Sequence, residues 1–497
     1  MKYIVKLNKY FKKIDKIVKS KYFVYFLLAI ILVGSFAVRL WKIDNPVADW
    51  HSWRQADTAS VSKVFLQDGI DLLHPKYHDI SKIQTGYFNP EGYRYVEFPI
   101  FNFVHVVLYK SIPGVGFDVW GRLVSVLSAV FTTYFLFGIG RKLFGYYVGL
   151  STAFFYAFLP FNIYFTRVIL PDPMSVMFGV GAVYFFAEFA DRKRTVMLLI
   201  SSMLLSLGML VKPHAIFFGI PIAYLALTRF SLNELIKNKW VFISLDIILI
   251  PFLLWRIFMY SEGLLRGIAH WKWAFNGNGI RFRPSFWRWI FGERVGKLIL
   301  GGWGLLPFGV GVITGRKLNI LHAFLAGAFL YVSIFASANV MHDYYQVFIV
   351  PAIALGLGVG VHFVWTHKSF HPVVAKLALL FAVGLMFAFS FYDVRDNYRI
   401  NDTGIIVAGK AADELLPKDA IVIAPYNGDT AFLYQTGRQG FPAVTGDVQD
   451  MIDMGAQYYI SVNLGDKDTV EYRNRFTEVV ATDRYVIIDL TRKKDEV

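Results

Sequence analysis

The chain has 497 residues, of which 56% are hydrophobic, 18% aromatic and only 18% charged. Ordinary globular proteins are about 45–50% apolar and about 25% charged, so the composition excludes an ordinary cytosolic enzyme and predicts a chain that lies largely in lipid. The formal net charge of +15 comes from short basic clusters between long apolar runs, which is typical of cytoplasmic membrane loops and argues against nucleic-acid binding. The chain has no cysteine, which excludes disulfides and thiolate metal sites.

Eleven apolar stretches are predicted to cross the membrane. The first, at residues 22–41, is close to the ~20 residues that a spanning helix needs. It follows a segment with eight lysines and lacks a small-residue cleavage site, which favours a membrane anchor with a cytoplasmic N-terminus over a removed signal peptide. The other ten are predicted at residues 118–139, 144–165, 173–190, 195–211, 213–229, 240–260, 297–314, 319–338, 344–366 and 372–392.

The side of the membrane on which the later loops lie depends on whether the apolar stretch at residues 98–113 crosses the membrane. It is short and contains Asn102, His105 and Lys110, so we predict that it lies at the outer interface and does not cross. Five later basic clusters then fall in the cytoplasm, whereas a spanning stretch would move all five outside. These clusters begin at Arg141, Asp191, Arg229, Arg316 and His367. The positive-inside rule therefore favours a multi-pass protein of the plasma (inner) membrane with its C-terminus outside the cytoplasm.

The composition changes after residue 392. Residues 393–497 carry 12 Lys and Arg against 18 Asp and Glu, a net charge of −6, whereas the first 392 residues carry 39 against 18, a net of +21. Short β-like runs at 420–424, 458–462 and 485–489 alternate with helix-like segments at 404–416 and 429–436. We predict a helical membrane domain over 1–392 and a small extracytoplasmic α/β domain over 393–497, with a structural or acceptor-facing role for the latter.

This topology collects unusual polar residues on the outer side. Most belong to the outer loop 42–117, and the others lie at the mouths of spans, where a charged side chain is costly to keep and tends to be functional. The candidates are Asp49, His51, Arg54, Gln55, Asp57, Glu97, Asp172, Lys212, His342, Tyr344 and Tyr345. Several of these residues also have a structural explanation. Asp172 lies between two prolines and is suited to cap the next helix, and the Lys212 side chain is suited to extend to the membrane interface. His342, Tyr344 and Tyr345 are suited to an aromatic belt.

A second outer loop, residues 261–296, breaks the charge rule. It carries six Lys or Arg, among them Arg266, Arg281 and Arg283, interleaved with four tryptophans that include Trp271. Guanidinium groups pair with phosphate oxygens and flat rings stack on sugars, so the segment suits a phosphorylated or sugar ligand. Anchoring to anionic head groups explains the composition equally well.

Taken in order, these residues resemble the GT-C membrane glycosyltransferases, specifically glycosyltransferase family 39 and the lipid A aminoarabinose transferase-like enzymes. The resemblance runs over about residues 20–390 and implies a GT-C-like helical fold. Asp172 resembles the second outer acid of the family, Lys212 its lysine at the mouth of a span, and residues 342–345 its late outer motif. Residues 53–55 together with 97–99 are similar to a bacterial subgroup of family 39.

Two positions depart from the aminoarabinose enzymes. Those enzymes carry an Asp-Glu pair just before the first outer helix and a Lys-Pro step at the head of the interfacial helix. The corresponding residues here are Arg54-Gln55 and Phe98. The identity of the first acid is therefore open among Asp49, Asp57 and Glu97.

The resemblance implies transfer of a sugar from a polyprenyl-phosphate donor to a hydroxyl of an envelope lipid, glycan or protein, with inversion and without metal or cofactor. A carboxylate accepts the proton of the attacking hydroxyl, for which Asp49 or Asp57 is favoured, and Asp172 orients the sugar or acceptor. Fixed cations stabilise the departing phosphate. The candidates for these cations and for the other contacts to substrate are Arg54, Lys212, Arg281, Arg283, His51, Gln55, His342, Tyr344 and Tyr345.

Two other classes of function compete with this reading. A transporter or flippase of a lipid-linked substrate would keep ionisable residues near the midplane, commonly between inverted repeats. Glu188, Asp246 and Arg256 are the deep or near-deep candidates, and the two halves of the chain do not mirror one another. A non-catalytic sensor would keep its function when the residues at the mouths of spans are changed.

Overall fold

The computed structural model describes residues 21–262, 272–314 and 318–494. In these ranges the chain is a set of packed helices followed by a small mixed α/β domain. The N-terminal lysines before Lys21, Arg266, Trp271 and the basic pair at 316–317 lie outside the described residues.

The helices of the membrane part follow the predicted apolar stretches. They are α1 Lys21–Arg39, α2 Ser52–Asp68, α3 Ile100–Ser111, α4 Phe117–Phe144, α5 Tyr146–Phe158, α6 Pro160–Phe165, α7 Asp172–Arg192, α8 Thr195–Val211, α9 Gly219–Arg229, α10 Leu232–Lys237, α11 Lys239–Ser261, α12 Trp273–Asn276, α13 Pro284–Arg288, α14 Leu305–Ile313, α15 Ile320–Ile334, α16 Ala336–Met341, α17 Val350–Thr366 and α18 Pro372–Val394. Short 3₁₀ helices occupy Pro213–Phe218, Gly277–Phe282, Asp343–Phe348 and Arg395–Tyr398, and a π-helix occupies Trp289–Ile299.

Five helices are long and apolar enough to cross a membrane, namely α1, α4, α7, α11 and α18 with its 3₁₀ continuation. Each coincides with a predicted span. The shorter apolar helices α8, α15 and α17 coincide with three more. A multi-pass helical membrane protein is thus confirmed, whereas the number of eleven spans stays a prediction. Helix α3 has 12 residues, about 18 Å, which is too short to cross a bilayer core of about 30 Å.

Several predicted spans are broken where proline or glycine interrupts the helix. Pro160 separates α5 from α6, and Pro213 ends α8 because its nitrogen has no hydrogen to donate. The stretch 297–314 breaks between the π-helix and α14 at Gly301 and Gly302, which have φ angles of 50° and 70°. A Cβ at position 301 would lie 2.4 Å from the backbone oxygen of Met386, so only glycine fits against α18 there.

The C-terminal domain is a five-stranded mixed sheet with helices. Its strands are β1 Val422–Ile423, β2 Gly440–Phe441, β3 Tyr458–Ser461, β4 Phe476–Ala481 and β5 Val486–Lys493, in the order β2-β1-β3-β5-β4. β1 is parallel to β2 and β3, and β5 is antiparallel to β3 and β4. Its helices are α19 Gly404–Leu415, α20 Ala431–Thr436, α21 Val448–Asp453 and α22 Lys467–Arg475. The predicted small α/β unit is confirmed; β2, with two residues, and β4, an edge strand, were not predicted.

The outer loop 42–117 joins this sheet. The backbone nitrogen of Ile80 donates to the oxygen of Gly440 at 3.0 Å, and the nitrogen of Gly440 donates to the oxygen of His78 at 2.9 Å. Residues 78–80 therefore continue the edge next to β2. The C-terminal domain packs directly on the loop that carries most of the candidate residues.

Candidate functional site

Four charged side chains meet where four separate elements converge. Arg54 belongs to the first turn of α2, Glu97 lies just before α3, Asp172 is the first residue of α7, and Lys212 follows α8. Arg54 Nη2 pairs with Glu97 Oε1. Lys212 Nζ lies 3.6 Å from the same Glu97 oxygen and 3.2 Å from Asp172 Oδ1. We call these four residues the charged quartet.

Arg54, Asp172 and Lys212 are buried and the Glu97 side chain is 13% exposed, which bears on the structural alternatives for these residues. Asp172 is 0% exposed, and neither of its carboxylate oxygens has a hydrogen-bond partner within the described ranges. Its side chain therefore does not cap α7. Lys212 is 5% exposed and lies 5.0 Å from the ring centre of Tyr345, so it does not extend to the interface.

The opposite charges within the quartet keep its members ionised. Burial raises the pKa of the Glu97 carboxyl, but the positive charges of Arg54, Lys212 and Arg94 outweigh this effect and hold its pKa below the ordinary value. Burial lowers the pKa of Lys212, while the Asp172 carboxylate raises it, and the net change is upward. Glu97 is therefore ionised at neutral pH, beside a lysine that stays protonated.

A cavity of about 400 Å³ opens beside the quartet. Glu97 and Lys212 line it; Asp49, Asp57 and Asp172 do not. Three more cations reach its wall, Arg94, Arg256 and Lys272. Most of the remaining wall is aromatic or apolar and includes Tyr87, Tyr93, Tyr95, Phe252, Met259, Phe275, Phe335 and Tyr345. Such a pocket suits a ligand with an anionic group attached to an apolar body.

Asp49 lies in a closed network away from the cavity. Its carboxylate accepts from Arg167 Nη2 at 2.9 Å and from Gln55 Nε2 at 2.5 Å. Arg167 also donates to the backbone oxygens of Trp41 and Lys42. Asp49, Gln55 and Arg167 are each 0% exposed, so this arrangement fastens the first loop to the segment between α6 and α7 and leaves no room for a substrate.

Asp57 lies between the cavity wall and the C-terminal domain. Its Oδ2 lies 2.9 Å from Arg94 Nη2, and its Oδ1 accepts from Thr430 Oγ1 at 2.7 Å and from Gln84 Nε2 at 3.1 Å. The side chain is 1% exposed. Asp57 thus contacts the cavity through Arg94 and not directly.

The late outer motif packs against the first loop. His51, at a φ of 56°, lies 2.7 Å from Asp343 Oδ1, and Trp50 Nε1 donates to Asp343 Oδ2 at 3.1 Å. The His51 ring lies against His342 and Tyr344, and Tyr344 stacks on Tyr345. Tyr344 and Tyr345 are buried, which separates them from an exposed interfacial belt. Tyr345 lines the cavity, whereas His51, His342 and Tyr344 lie behind it.

The two arginines predicted for phosphate are not at the cavity. Arg281 donates to the backbone oxygen of Ile334 at 3.5 Å, and Arg283 is exposed and donates to the backbone oxygen of Asn278. Lys272 from the same loop and Arg256 from α11 line the wall instead. Sequence reasoning missed Arg94 and Lys272; the only signal for Arg94 is its position three residues before Glu97 in an aromatic-rich segment.

Residues 21–262, 272–314 and 318–494 contain no group of three or more His, Asp or Glu side chains that could hold a metal ion. The arrangement at the cavity is instead one of paired acids and cations.

Residues 107–257 match the family described as dolichyl-phosphate-mannose-protein mannosyltransferase. This region includes Asp172, Lys212 and Arg256. No curated protein sequence matches the chain at a significant level.

Three solved structures have a similar fold. ArnT from Cupriavidus metallidurans bound to undecaprenyl phosphate is 14% identical, with a TM-score of 0.65, over 94% of this chain and 98% of that one. The oligosaccharyltransferase of Archaeoglobus fulgidus in complex with zinc and sulfate is 12% identical, with a TM-score of 0.58, over 91% and 71%. The oligosaccharyltransferase AglB from Archaeoglobus fulgidus, in complex with an inhibitory peptide and a dolichol-phosphate, is 10% identical, with a TM-score of 0.56, over 92% and 73%.

The predicted resemblance to family 39 and to the lipid A aminoarabinose transferase-like enzymes is confirmed by the family match and by the shared fold. The family match runs from the second half of α3 into α11. At these low identities, the solved structures establish the fold.

Proposed function

We propose that the protein transfers a sugar from a polyprenyl-phosphate donor to a hydroxyl of an envelope lipid, glycan or protein at the outer face of the membrane, with inversion and without a metal. The meeting of Arg54, Glu97, Lys212 and Asp172 beside the cavity of about 400 Å³ carries this proposal. It joins a proton acceptor to fixed cations in one buried place, which are the two services that glycosyl transfer from a phosphate needs.

The cavity supports a lipid-phosphate donor. Lys212, Arg256 and Lys272 provide positive charge for the phosphate, and the aromatic and apolar wall suits the first units of a polyprenyl chain. Helix α11, which contributes Phe252, Arg256 and Met259, is one of the five long apolar helices, and most of its residues are not buried. A donor could therefore enter along this helix from the lipid. Undecaprenyl phosphate is bound by ArnT, which has the similar fold.

In the proposed reaction, the acceptor oxygen attacks the anomeric carbon as the bond from that carbon to the phosphate oxygen breaks. Glu97 accepts the proton of the acceptor hydroxyl, and polyprenyl phosphate leaves with its charge compensated by Lys212, Arg256 and Lys272. Asp172 holds Lys212 in place. A single displacement of this kind inverts the configuration of the sugar. Glu97 replaces Asp49 and Asp57 as our choice of base because it lines the cavity.

Transfer is tested in proteoliposomes that contain a labelled polyprenyl-phosphate sugar and an envelope extract as acceptor. We expect label in the acceptor and release of polyprenyl phosphate, both lost in Glu97→Gln. Glu293→Gln is the matched control, because Glu293 pairs with Arg288 in an outer loop away from the cavity. Full transfer by Glu97→Gln in folded protein would remove Glu97 from the mechanism.

The transporter alternative is tested in the same vesicles. Glu188 pairs with Lys142 at 3.1 Å and with Arg192 at 2.9 Å, and Asp246 is exposed on α11. Neither carboxylate lines the cavity. Movement of intact labelled donor across the membrane without cleavage would favour a transporter. Unchanged cellular function in variants of Glu97 and Lys212 would favour a sensor.

We also propose the orientation and domain division stated from the sequence. This includes eleven spans, a cytoplasmic N-terminus and an extracytoplasmic domain over 393–497. The chain has no cysteine, so a single introduced cysteine can be labelled without background. A cysteine at the exposed position Lys467 should react with a membrane-impermeant reagent in intact cells, whereas one at the exposed position Lys237 should not. The opposite result would invert the topology.

A further inference from the structure

A series of polar contacts links the C-terminal domain to the cavity wall. The hydroxyl of Thr430 lies 2.7 Å from Asp57 Oδ1, and the other carboxylate oxygen of Asp57 lies 2.9 Å from Arg94 Nη2. Gln84 closes the arrangement, because it donates to Asp57 Oδ1 and accepts from Arg94 Nη1 at 2.6 Å. Thr430, Asp57 and Arg94 are each at most 6% exposed, so water does not compensate for a lost partner.

The position of Thr430 is itself determined by docking of the C-terminal domain. Asp429 accepts from Ser52 Oγ at 2.8 Å and from the backbone nitrogen of Ala431 at 2.7 Å, which ties the start of α20 to the start of α2. Gln435 at the other end of α20 donates to the backbone oxygen of Val47 at 3.1 Å. With the backbone pairing of residues 78–80 to Gly440, the domain is held on both sides of Thr430.

Arg94 carries this contact into the cavity. It lines the wall near Glu97, and its charge contributes to the lowered pKa of that carboxyl. Its Nε is buried and has no hydrogen-bond partner within the described ranges. A guanidinium in this setting suits a phosphate oxygen of the ligand that fills the cavity.

We infer that Arg94 contacts the donor phosphate and that Thr430 is a positioning residue, which holds Arg94 through Asp57 so that the C-terminal domain sets the affinity for the donor. This inference rests on the proposed function. It gives Asp57 a positioning role instead of the proton transfer expected from the sequence. It also gives the C-terminal domain a role in donor binding, where the sequence suggested a structural or acceptor-facing one.

The test measures binding of undecaprenyl phosphate to the purified full-length protein in detergent, which needs neither the sugar nor the acceptor. Thr430→Val removes the hydroxyl at nearly constant shape, and Thr430→Ser keeps it. Thr469→Val is the matched control, because Thr469 is buried in the same domain and bonds only to Tyr459 and Ser461 among the described residues. A double-mutant cycle combines Thr430→Val with Arg94→Gln.

We expect Thr430→Val to raise the Kd about three- to tenfold, which corresponds to the loss of a typical hydrogen bond. Thr430→Ser should bind nearly as the natural protein does, and Thr469→Val should lower Tm without changing the Kd. In the Arg94→Gln background, Thr430→Val should add less than about a twofold effect, because both changes remove the same contact.

Three results would overturn the inference: an unchanged Kd in Thr430→Val, equal weakening in Thr430→Ser and Thr430→Val, or an equal change in Thr469→Val. Additive effects of Thr430→Val and Arg94→Gln on the binding free energy in the double-mutant cycle would also overturn the inference. If the natural protein itself fails to bind undecaprenyl phosphate, the proposed function fails and this inference falls with it. If the natural protein binds undecaprenyl phosphate and Thr430→Val binds it equally well, this inference is refuted and the proposed function stands.

Discussion

Two acid–cation clusters of similar composition have opposite surroundings. Asp49 with Arg167 and Gln55 forms a closed network whose three side chains are 0% exposed. Glu97, which pairs with Arg54 and Lys212, lines a cavity of about 400 Å³. The pairing chemistry is nearly the same, so residue type does not distinguish a carboxylate in a closed network from one that can meet a ligand. Access to a space that can hold a ligand does.

The largest effect should come from Glu97→Gln, which breaks the cluster of Glu97, Arg54 and Lys212 at the cavity. Glutamine keeps the size of the side chain but cannot accept the acceptor proton, so we expect kcat to fall about 10³-fold, within the usual range for loss of a general base. Tm should also fall, because Arg54 and Lys212 lose a counter-charge, so kcat is compared per folded molecule. The measurement is initial-rate transfer in proteoliposomes, and a loss of less than tenfold would return the choice of base to Asp57.

Asp49→Asn should affect stability instead of catalysis. It leaves the buried Arg167 guanidinium without its counter-charge, which typically costs about 3–5 kcal/mol. We expect a marked fall in Tm and in yield, with kcat per folded molecule close to that of the natural protein. If Asp49→Asn stays stable but loses transfer, the closed network of Asp49, Arg167 and Gln55 takes part in the reaction.

A smaller effect is expected from Arg256→Gln at the far wall of the cavity. Loss of one cation facing the phosphate should raise the KM for the donor about tenfold with a smaller change in kcat. Arg283→Gln, in the basic loop but exposed and away from the cavity, should change the KM less than about twofold. Equal effects of the two substitutions would show that the donor binds to the outer loop.

The smallest effect concerns pH. Because Arg54, Lys212 and Arg94 lower the pKa of Glu97 against the effect of burial, Glu97 stays ionised below the ordinary value of 4.5. Transfer should be lost only as pH falls through that lowered pKa. Arg94→Gln removes one of the three cations, so the acid limb of kcat/KM should move to higher pH. An unmoved limb would indicate that another group accepts the proton.

Much of the membrane architecture was predictable because hydropathy and helix length act locally. Helices α4, α7 and α11 lie within a few residues of their predicted spans. The breaks at Gly301 and Gly302 were not predictable, since they depend on a close approach to α18. In the site, Asp172 and Lys212, both predicted site residues, lie 3.2 Å apart, whereas Arg281 and Arg283 were expected at a cavity that Arg256 and Lys272 line.

By itself, the sequence determined a multi-pass helical membrane protein with an acidic α/β tail, because apolar length and charge distribution are properties of neighbouring residues. Only the tertiary structure decided which of three first-loop acids faces the cavity, and that Thr430 reaches Asp57 across 373 positions of the chain. These contacts arise from the packing of a loop between helices and a distant domain. Their geometry depends on the whole fold and leaves no local pattern in the sequence.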